Sequence, residues 1–113
     1  MSEEALATLS DIATEVHARV QQHFSDINPV VSVRRNMRTS GIPADAMTID
    51  CLRTGKRIIL VLHDQMPGVV SFQFAMVEGE AGDAFERMPL AELTADLLYQ
   101  WITEYFQSAA IKN

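Results

Sequence analysis

The chain has 113 residues, of which 48% are hydrophobic and 21% charged, and its formal net charge is −6 at pH 7. That length is typical of one domain, and the balance of apolar and charged residues excludes wholesale disorder. The acidic net charge argues against general nucleic-acid binding, which depends on neutralising phosphates. We therefore expect a single folded domain over residues 1–113 that does not bind nucleic acid.

The cysteine content and the apolar runs predict a cytoplasmic location. Cys51 is the only cysteine, so no disulfide can form within the chain. The acidic start at Glu3 and Glu4 lacks the basic and apolar layout of a signal peptide. The longest apolar run, Ile58 to Leu62, is too short to span a bilayer, so we expect no membrane association.

An amphipathic helix is predicted at the start of the chain, from about Glu3 to Phe24. Its apolar residues recur at steps of three and four, which places them on one side of a helix. They are Leu6, Leu9, Ile12, Ala13, Val16, Val20 and Phe24. An apolar stripe of this width is typical of a helix that covers a core. The Asn28-Pro29 dipeptide then ends the segment.

Alternating apolar residues predict β-strands in the middle of the chain. A valine-rich run from Val30 to Arg35 precedes a loop at Thr39–Pro43. Thr54-Gly55 then fits a two-residue turn between strands at Met47–Arg53 and Lys56–His63. This turn places Cys51 opposite Ile58, Ile49 opposite Leu60 and Met47 opposite Leu62. These six side chains are apolar and share one face, and a one-residue slip would destroy that arrangement.

The last third of the chain predicts one more strand and a closing helix. Pro67-Gly68 turns the chain into a strand at Val69–Val77, which is followed by a polar loop at Glu78–Arg87. Pro89 suits the first turn of a helix from about Leu90 to Ser108.

These elements together predict an α+β fold. A three- or four-stranded antiparallel meander sheet is flanked by N-terminal and C-terminal helices that pack on one face. We expect the valine run to be the fourth strand if there is one. The covered face would hold Met47, Ile49, Cys51, Ile58, Leu60, Leu62, Val70, Phe72, Phe74 and Met76.

The closing helix has a broader apolar surface than one sheet can cover. A helix resting on a sheet needs a single stripe, whereas here apolar residues occupy most of the circumference. The first helix could cover the surplus. A second copy of the chain could also cover it, and then Tyr99, Ile102 and Phe106 would form a dimer interface.

Basic residues are concentrated in one part of the sequence. Residues 34–57 contain six basic and two acidic residues, a net charge of +4, so the rest of the chain carries −10. The basic residues are Arg34, Arg35, Arg38, Arg53, Lys56 and Arg57. They could dock an anionic small molecule or an acidic partner. The alternative, which the sequence favours, is a set of solvated edge charges that discourage aggregation between strands.

No catalytic or cofactor-binding motif accompanies this cluster. His17 and His23 do not have the spacing of two ligands on one helical face, and adjacent His63 and Asp64 point to opposite sides of a strand. The scattered carboxylates match no calcium loop, and we expect no metal or cofactor. The sequence favours a non-enzymatic interaction module, either a homodimer or an adaptor, over a domain that binds anionic ligands. An enzyme is the least supported class.

Overall fold

Two long helices enclose a run of strands in chain order. The structure, a computed structural model, describes residues 2–24, 28–78 and 85–107. The elements are α1 Ser2–His23, β1 Pro29–Arg34, the single-turn helix α2 Asn36–Thr39, β2 Ala44–Cys51, β3 Lys56–His63, β4 Val69–Met76, β5 Glu86–Pro89 and α3 Ala95–Gln107.

The strands form one antiparallel sheet in the sequential order β1-β2-β3-β4-β5. The α+β meander predicted from the sequence is therefore confirmed, with five strands in place of three or four. The valine run, as β1, pairs with β2 at one edge. At the other edge, β5 begins inside the segment predicted as a polar loop. Its four residues are too few for an alternating pattern, and backbone pairing with β4 defines the strand.

The predicted β2–β3 register is wrong by two residues, although the predicted inward face is correct. Ile58 lies opposite Ile49, and Cys51 lies opposite Lys56. The loop therefore has four residues, 52–55, and Gly55 closes it with φ of 77° and a 2.8 Å bond from its N–H to the Cys51 carbonyl. A shift of two residues leaves every side chain on its original face, so apolar alternation cannot detect it.

Both long helices pack on the same face of the sheet. Seven of the ten residues predicted for that face are buried, from Met47 on β2 to Val70 on β4. Phe72 is half-buried, whereas Phe74 and Met76 are 41% and 49% exposed. These two lie towards the end of β4, where Phe74 contacts the Trp101 and Tyr105 rings of α3 and the ring of Phe72 on its own strand.

The closing helix starts later than predicted. Leu90–Glu92 forms a short 3₁₀ turn, and α3 begins only after Thr94, whose Oγ1 accepts a 3.1 Å hydrogen bond from the Leu97 N–H. Ser108, the predicted end of the helix, lies outside the described residues. Helix α1 packs directly along α3, so α1 covers much of the apolar surface that exceeds what the sheet can bury.

Candidate functional site

The two faces of the sheet have different surroundings. Both long helices cover the face that carries Ile49 and Leu60, and neither covers the opposite face. We call this opposite surface the open face. Strand alternation and register place its side chains in rows across all five strands. Its residues are Val30, Ser32, Arg34, Ala44, Ala46, Thr48, Asp50, Arg57, Ile59, Val61, His63, Val69, Ser71, Gln73, Ala75, Arg87 and Pro89.

The centre of the open face carries no charge. Two adjacent rows run across β2, β3 and β4 there, and their six residues are Ala46, Thr48, Ile59, Val61, Ser71 and Gln73. Ala46 and Thr48 are only 8% and 4% exposed although no long helix covers them. On β3, the larger side chains of Val61 and Ile59 lie directly opposite them. A sheet face that only meets water ordinarily alternates polar residues outward, so this uncharged centre is unusual.

Arginines stand at the edges of the open face. Arg34 on β1 and Arg87 on β5 are both exposed and occupy the two ends of one row. That row passes between them through Ala46, Val61 and Ser71. Within the described parts of the chain, neither guanidinium contacts a carboxylate.

An ion pair marks one end of the open face. Asp50 and Arg57 lie directly opposite each other on β2 and β3, and Arg57 donates two hydrogen bonds, of 2.7 and 2.9 Å, to the Asp50 carboxylate. The bond to Asp50 raises the pKa of Arg57. The open face therefore holds three arginines and one aspartate, a net charge of +2 on a chain whose net charge is −6.

Arg35 and Arg38, which the sequence placed in the same basic cluster, lie in a second network beyond one end of β2. Both guanidiniums bind the Asp45 carboxylate, Arg38 through bonds of 2.8 and 3.0 Å. Arg38 also binds Asp64 at 2.8 Å. Hydrogen bonds from Arg38, then from Arg35, hold the pKa of the buried Asp45 carboxyl below its usual range despite its burial. The Asp64 carboxylate, next to His63 in the sequence, therefore accepts hydrogen bonds from Arg38.

The rest of the predicted basic cluster is spread over other surfaces. Arg53 lies in the β2–β3 loop, and Lys56 points to the helix-covered face. The Lys56 ammonium donates a 3.0 Å hydrogen bond to the Tyr105 carbonyl and stands 4.5 Å from the centre of that ring. The structure therefore brings only Arg34 and Arg57, of the six predicted basic residues, onto the open face.

The predicted dimer interface on the last helix is mostly internal. Ile102 and Phe106 are 2% and 1% exposed within the single chain, where they pack in the core between the sheet and α1. Tyr99 is half-buried, with the Arg19 guanidinium 4.4 Å from its ring centre. These contacts leave Ile102 and Phe106 no surface to offer a second copy.

Among the described residues, titratable side chains meet at one small cavity of about 300 Å³, which Glu4, His63 and Asp64 line. The described residues contain no group of three or more His, Cys, Asp or Glu side chains placed to hold a metal ion. Cys51 is buried in the core as a free thiol. In these same parts of the chain, no helix combines the length and the apolar character needed to cross a membrane.

The open face is the site that analysis of the sequence alone did not identify. Its signal was present in β3, where Ile59 and Val61 occupy outward positions that a solvated strand would give to polar residues. Arg87 could not be assigned to it because β5 was not predicted. Comparisons of the chain with protein-family models, curated proteins and solved structures find no match.

Proposed function

We propose that this chain is a non-enzymatic interaction module that binds another protein through the open face. The observation that carries the proposal is the uncharged centre of that face between the exposed arginines Arg34 and Arg87. Protein interfaces commonly have such a plan, with charged residues depleted in the centre and polar residues at the rim.

The charge of the open face identifies the kind of partner. A net charge of +2 on an acidic chain favours a surface that is apolar in its centre and carries Asp or Glu around it. A second copy docked face to face would set +2 against +2, so the open face favours a different protein. We also propose a cytoplasmic location, on the ground that the single cysteine allows no disulfide within the chain.

A domain that binds an anionic small molecule has less support. Arg35, Arg38 and Arg57 already bind aspartates, so an anion would have to displace a carboxylate. With a protein partner, each arginine needs to contribute less binding free energy than with a small anion, because apolar contact supplies part of the affinity.

Selection from a displayed library of random dodecapeptides tests the proposal while the natural partner is still unidentified. We expect the wild-type chain to enrich peptides that combine apolar residues with Asp and Glu. A chain carrying Arg34→Glu and Arg87→Glu should enrich Lys and Arg in place of the acids. Binding of a selected acidic peptide, followed by fluorescence anisotropy, should weaken as salt is added.

Single variants provide the matched comparison for the same acidic peptide. Arg34→Glu should weaken its binding by about threefold to tenfold, as expected for a rim charge reversed against an opposite charge. Arg53→Glu makes the same change in net charge on the β2–β3 loop and should alter binding far less. Equal losses in both variants, or selection that ignores the double reversal, would contradict the proposal.

A further inference from the structure

Strand β1 has one free lateral edge. Among the described residues it pairs only with β2, so the backbone N–H and C=O groups on its other side have no strand beside them. Val30 and Val33 are 37% and 44% exposed on this strand. Long apolar edges are usually blunted by charges or proline, and here Pro29 and Arg34 occupy only the two ends.

A groove runs beside the same edge, between α1 and β1. Its volume is about 570 Å³. Ala13, Thr14 and His17 line it from the helix, and Val31 and Val33 line it from the strand. A strand added to β1 would send alternate side chains towards this groove, which is how edge-strand recognition obtains specificity beyond its backbone hydrogen bonds.

We propose that the occupant of this edge is a second copy of the chain, which pairs its own β1 antiparallel to the first across a two-fold axis. The segment that would bind is the strand itself, and its Val31 and Val33 would contact the Val31 and Val33 of the first copy, which form the apolar side of the groove with Met47. Val30 and Val33, exposed in the single chain, would then be covered. The groove-lining residues include no Asp, Glu, Lys or Arg, so two copies can approach without a clash of like charges.

Strand geometry limits the register of this pair, and an axis at Ser32 pairs the largest part of the strand while it avoids Pro29. Opposed residues of an antiparallel pair point to the same face, so a two-fold axis perpendicular to the sheet must lie midway between the two copies of one residue. An axis at Val31 would place Pro29, which has no N–H, within the ladder. An axis at Ser32 pairs Val30 with Arg34 and Val31 with Val33 of the other copy and leaves Pro29 outside.

The two open faces would then lie on the same side of one continuous ten-stranded sheet. This inference does not depend on the proposed function, because self-association is measured without any ligand. Binding of the acidic peptide can fail while the dimer forms, and the reverse result is equally distinguishable.

Cysteine cross-linking tests both the dimer and its register. In light scattering, the wild-type chain should show twice its mass of 12.6 kDa at micromolar concentration. Mild oxidation should cross-link Ser32→Cys with itself, because directly opposed strand residues lie within disulfide distance. Val30→Cys and Arg34→Cys should not cross-link alone, and the mixture of the two should. The native Cys51 is buried and provides the background control.

Surface variants supply the matched comparison. Val33→Lys should convert the dimer to a monomer with an unchanged circular dichroism spectrum, since Val33 is at a partly exposed edge. Thr14→Arg, on the exposed helical wall of the groove, should do the same. Met76→Lys alters a residue of similar exposure, 49% against 44%, away from β1, and should remain dimeric. A wild-type monomer at high micromolar concentration would overturn the proposal. So would a dimer that survives both Val33→Lys and Thr14→Arg and forms no Ser32→Cys cross-link.

Discussion

The Asp45 carboxylate is fully buried and charged, so it depends on hydrogen-bonding partners within the protein. Its side chain has 0% exposure, and Arg35 and Arg38 are its hydrogen-bonding partners. Arg38 also holds Asp64, so one guanidinium ties the start of β2 to the end of β3. A buried carboxylate is tolerated only where such partners replace water.

Asp45→Asn should lower the free energy of unfolding by about 2 kcal/mol, because two charge-assisted bonds are lost inside the protein. Urea unfolding followed by circular dichroism at neutral pH measures this change. The matched control is Asp64→Asn, which removes a carboxylate with a 36% exposed side chain from the same network and should cost clearly less. Equal losses would mean that burial of Asp45 contributes nothing.

The same carboxylate predicts a pH dependence of stability. Its pKa in the folded chain lies below the ordinary value of 3.8, so the unfolded chain takes up the proton first as pH falls. The stabilisation is therefore complete above that ordinary value and is lost as pH drops through the lower folded pKa. Urea titrations between about pH 6 and pH 2 should show the advantage of wild type over Asp45→Asn narrowing below about pH 4. A constant advantage across that range would refute the assignment.

Cys51 and Leu52 are neighbours in sequence with opposite environments. Cys51 is 2% exposed in the core, and Leu52 is 71% exposed in the following loop. Cys51→Asp should cost about 3 kcal/mol or more, because it buries a charge without a partner. Leu52→Asp should leave the free energy of unfolding within about 0.5 kcal/mol of wild type. Thermal and urea unfolding of the two variants side by side would reveal a wrong assignment of the inward face.

At the scale of elements, side-chain periodicity predicted which face of each strand points inward. It did not predict the length of the β2–β3 loop or the presence of the short strand β5. The inward faces of β2, β3 and β4 follow from alternation, as at Ile49, Leu60 and Val70. The β2–β3 loop length does not, because a four-residue loop that ends at Gly55 preserves the same faces as a two-residue turn. Strand β5 has only four residues, which are too few to show an alternation of apolar and polar side chains.

The candidate site was harder to predict than the fold, since it depends on which strands are neighbours. Arg34 and Arg57 were identified as basic residues, but their position on one face required the pairing of β1 with β2 and of β2 with β3. Sequence proximity suggested a single cluster, whereas Asp45 draws Arg35 and Arg38 into a separate network. Such ion pairs between residues on different elements leave no periodic signal.

The start of α3 gives a prediction that belongs to this scale. Thr94 accepts the N–H of Leu97 and so caps the helix. Thr94→Ala should reduce the free energy of unfolding by about 1 kcal/mol, whereas Thr94→Ser should retain most of it because the hydroxyl remains. Chemical denaturation of both variants distinguishes a cap from a passive loop residue, for which the two would be equivalent.

At the scale of the whole molecule, the strands pair with their sequence neighbours and the two long helices pair across the length of the chain. Among the described residues, each hydrogen-bonded strand pair joins consecutive strands, from β1 with β2 to β4 with β5. The Arg19–Asp96 ion pair, in contrast, joins α1 to α3 at 2.7 Å across 77 positions of sequence. The sheet is local in sequence, and the layer that covers it is not.

This contact between the first and last helices has a consequence for synthesis on the ribosome. Helix α1 emerges before the sheet and α3, so its apolar stripe at Leu9, Val16 and Val20 lacks its contact with α3 until the whole sheet has left the ribosomal tunnel. We expect nascent chains stalled before α3 is exposed to be cleaved readily by a protease that cuts at Leu9 or Val16. Chains extended by a linker that frees α3 should resist it. If protection arises before α3 emerges, α1 must find its place on the sheet alone. If protection arises only after α3 emerges, the apolar stripe of α1 stays exposed during translation unless another molecule, such as a chaperone, covers it.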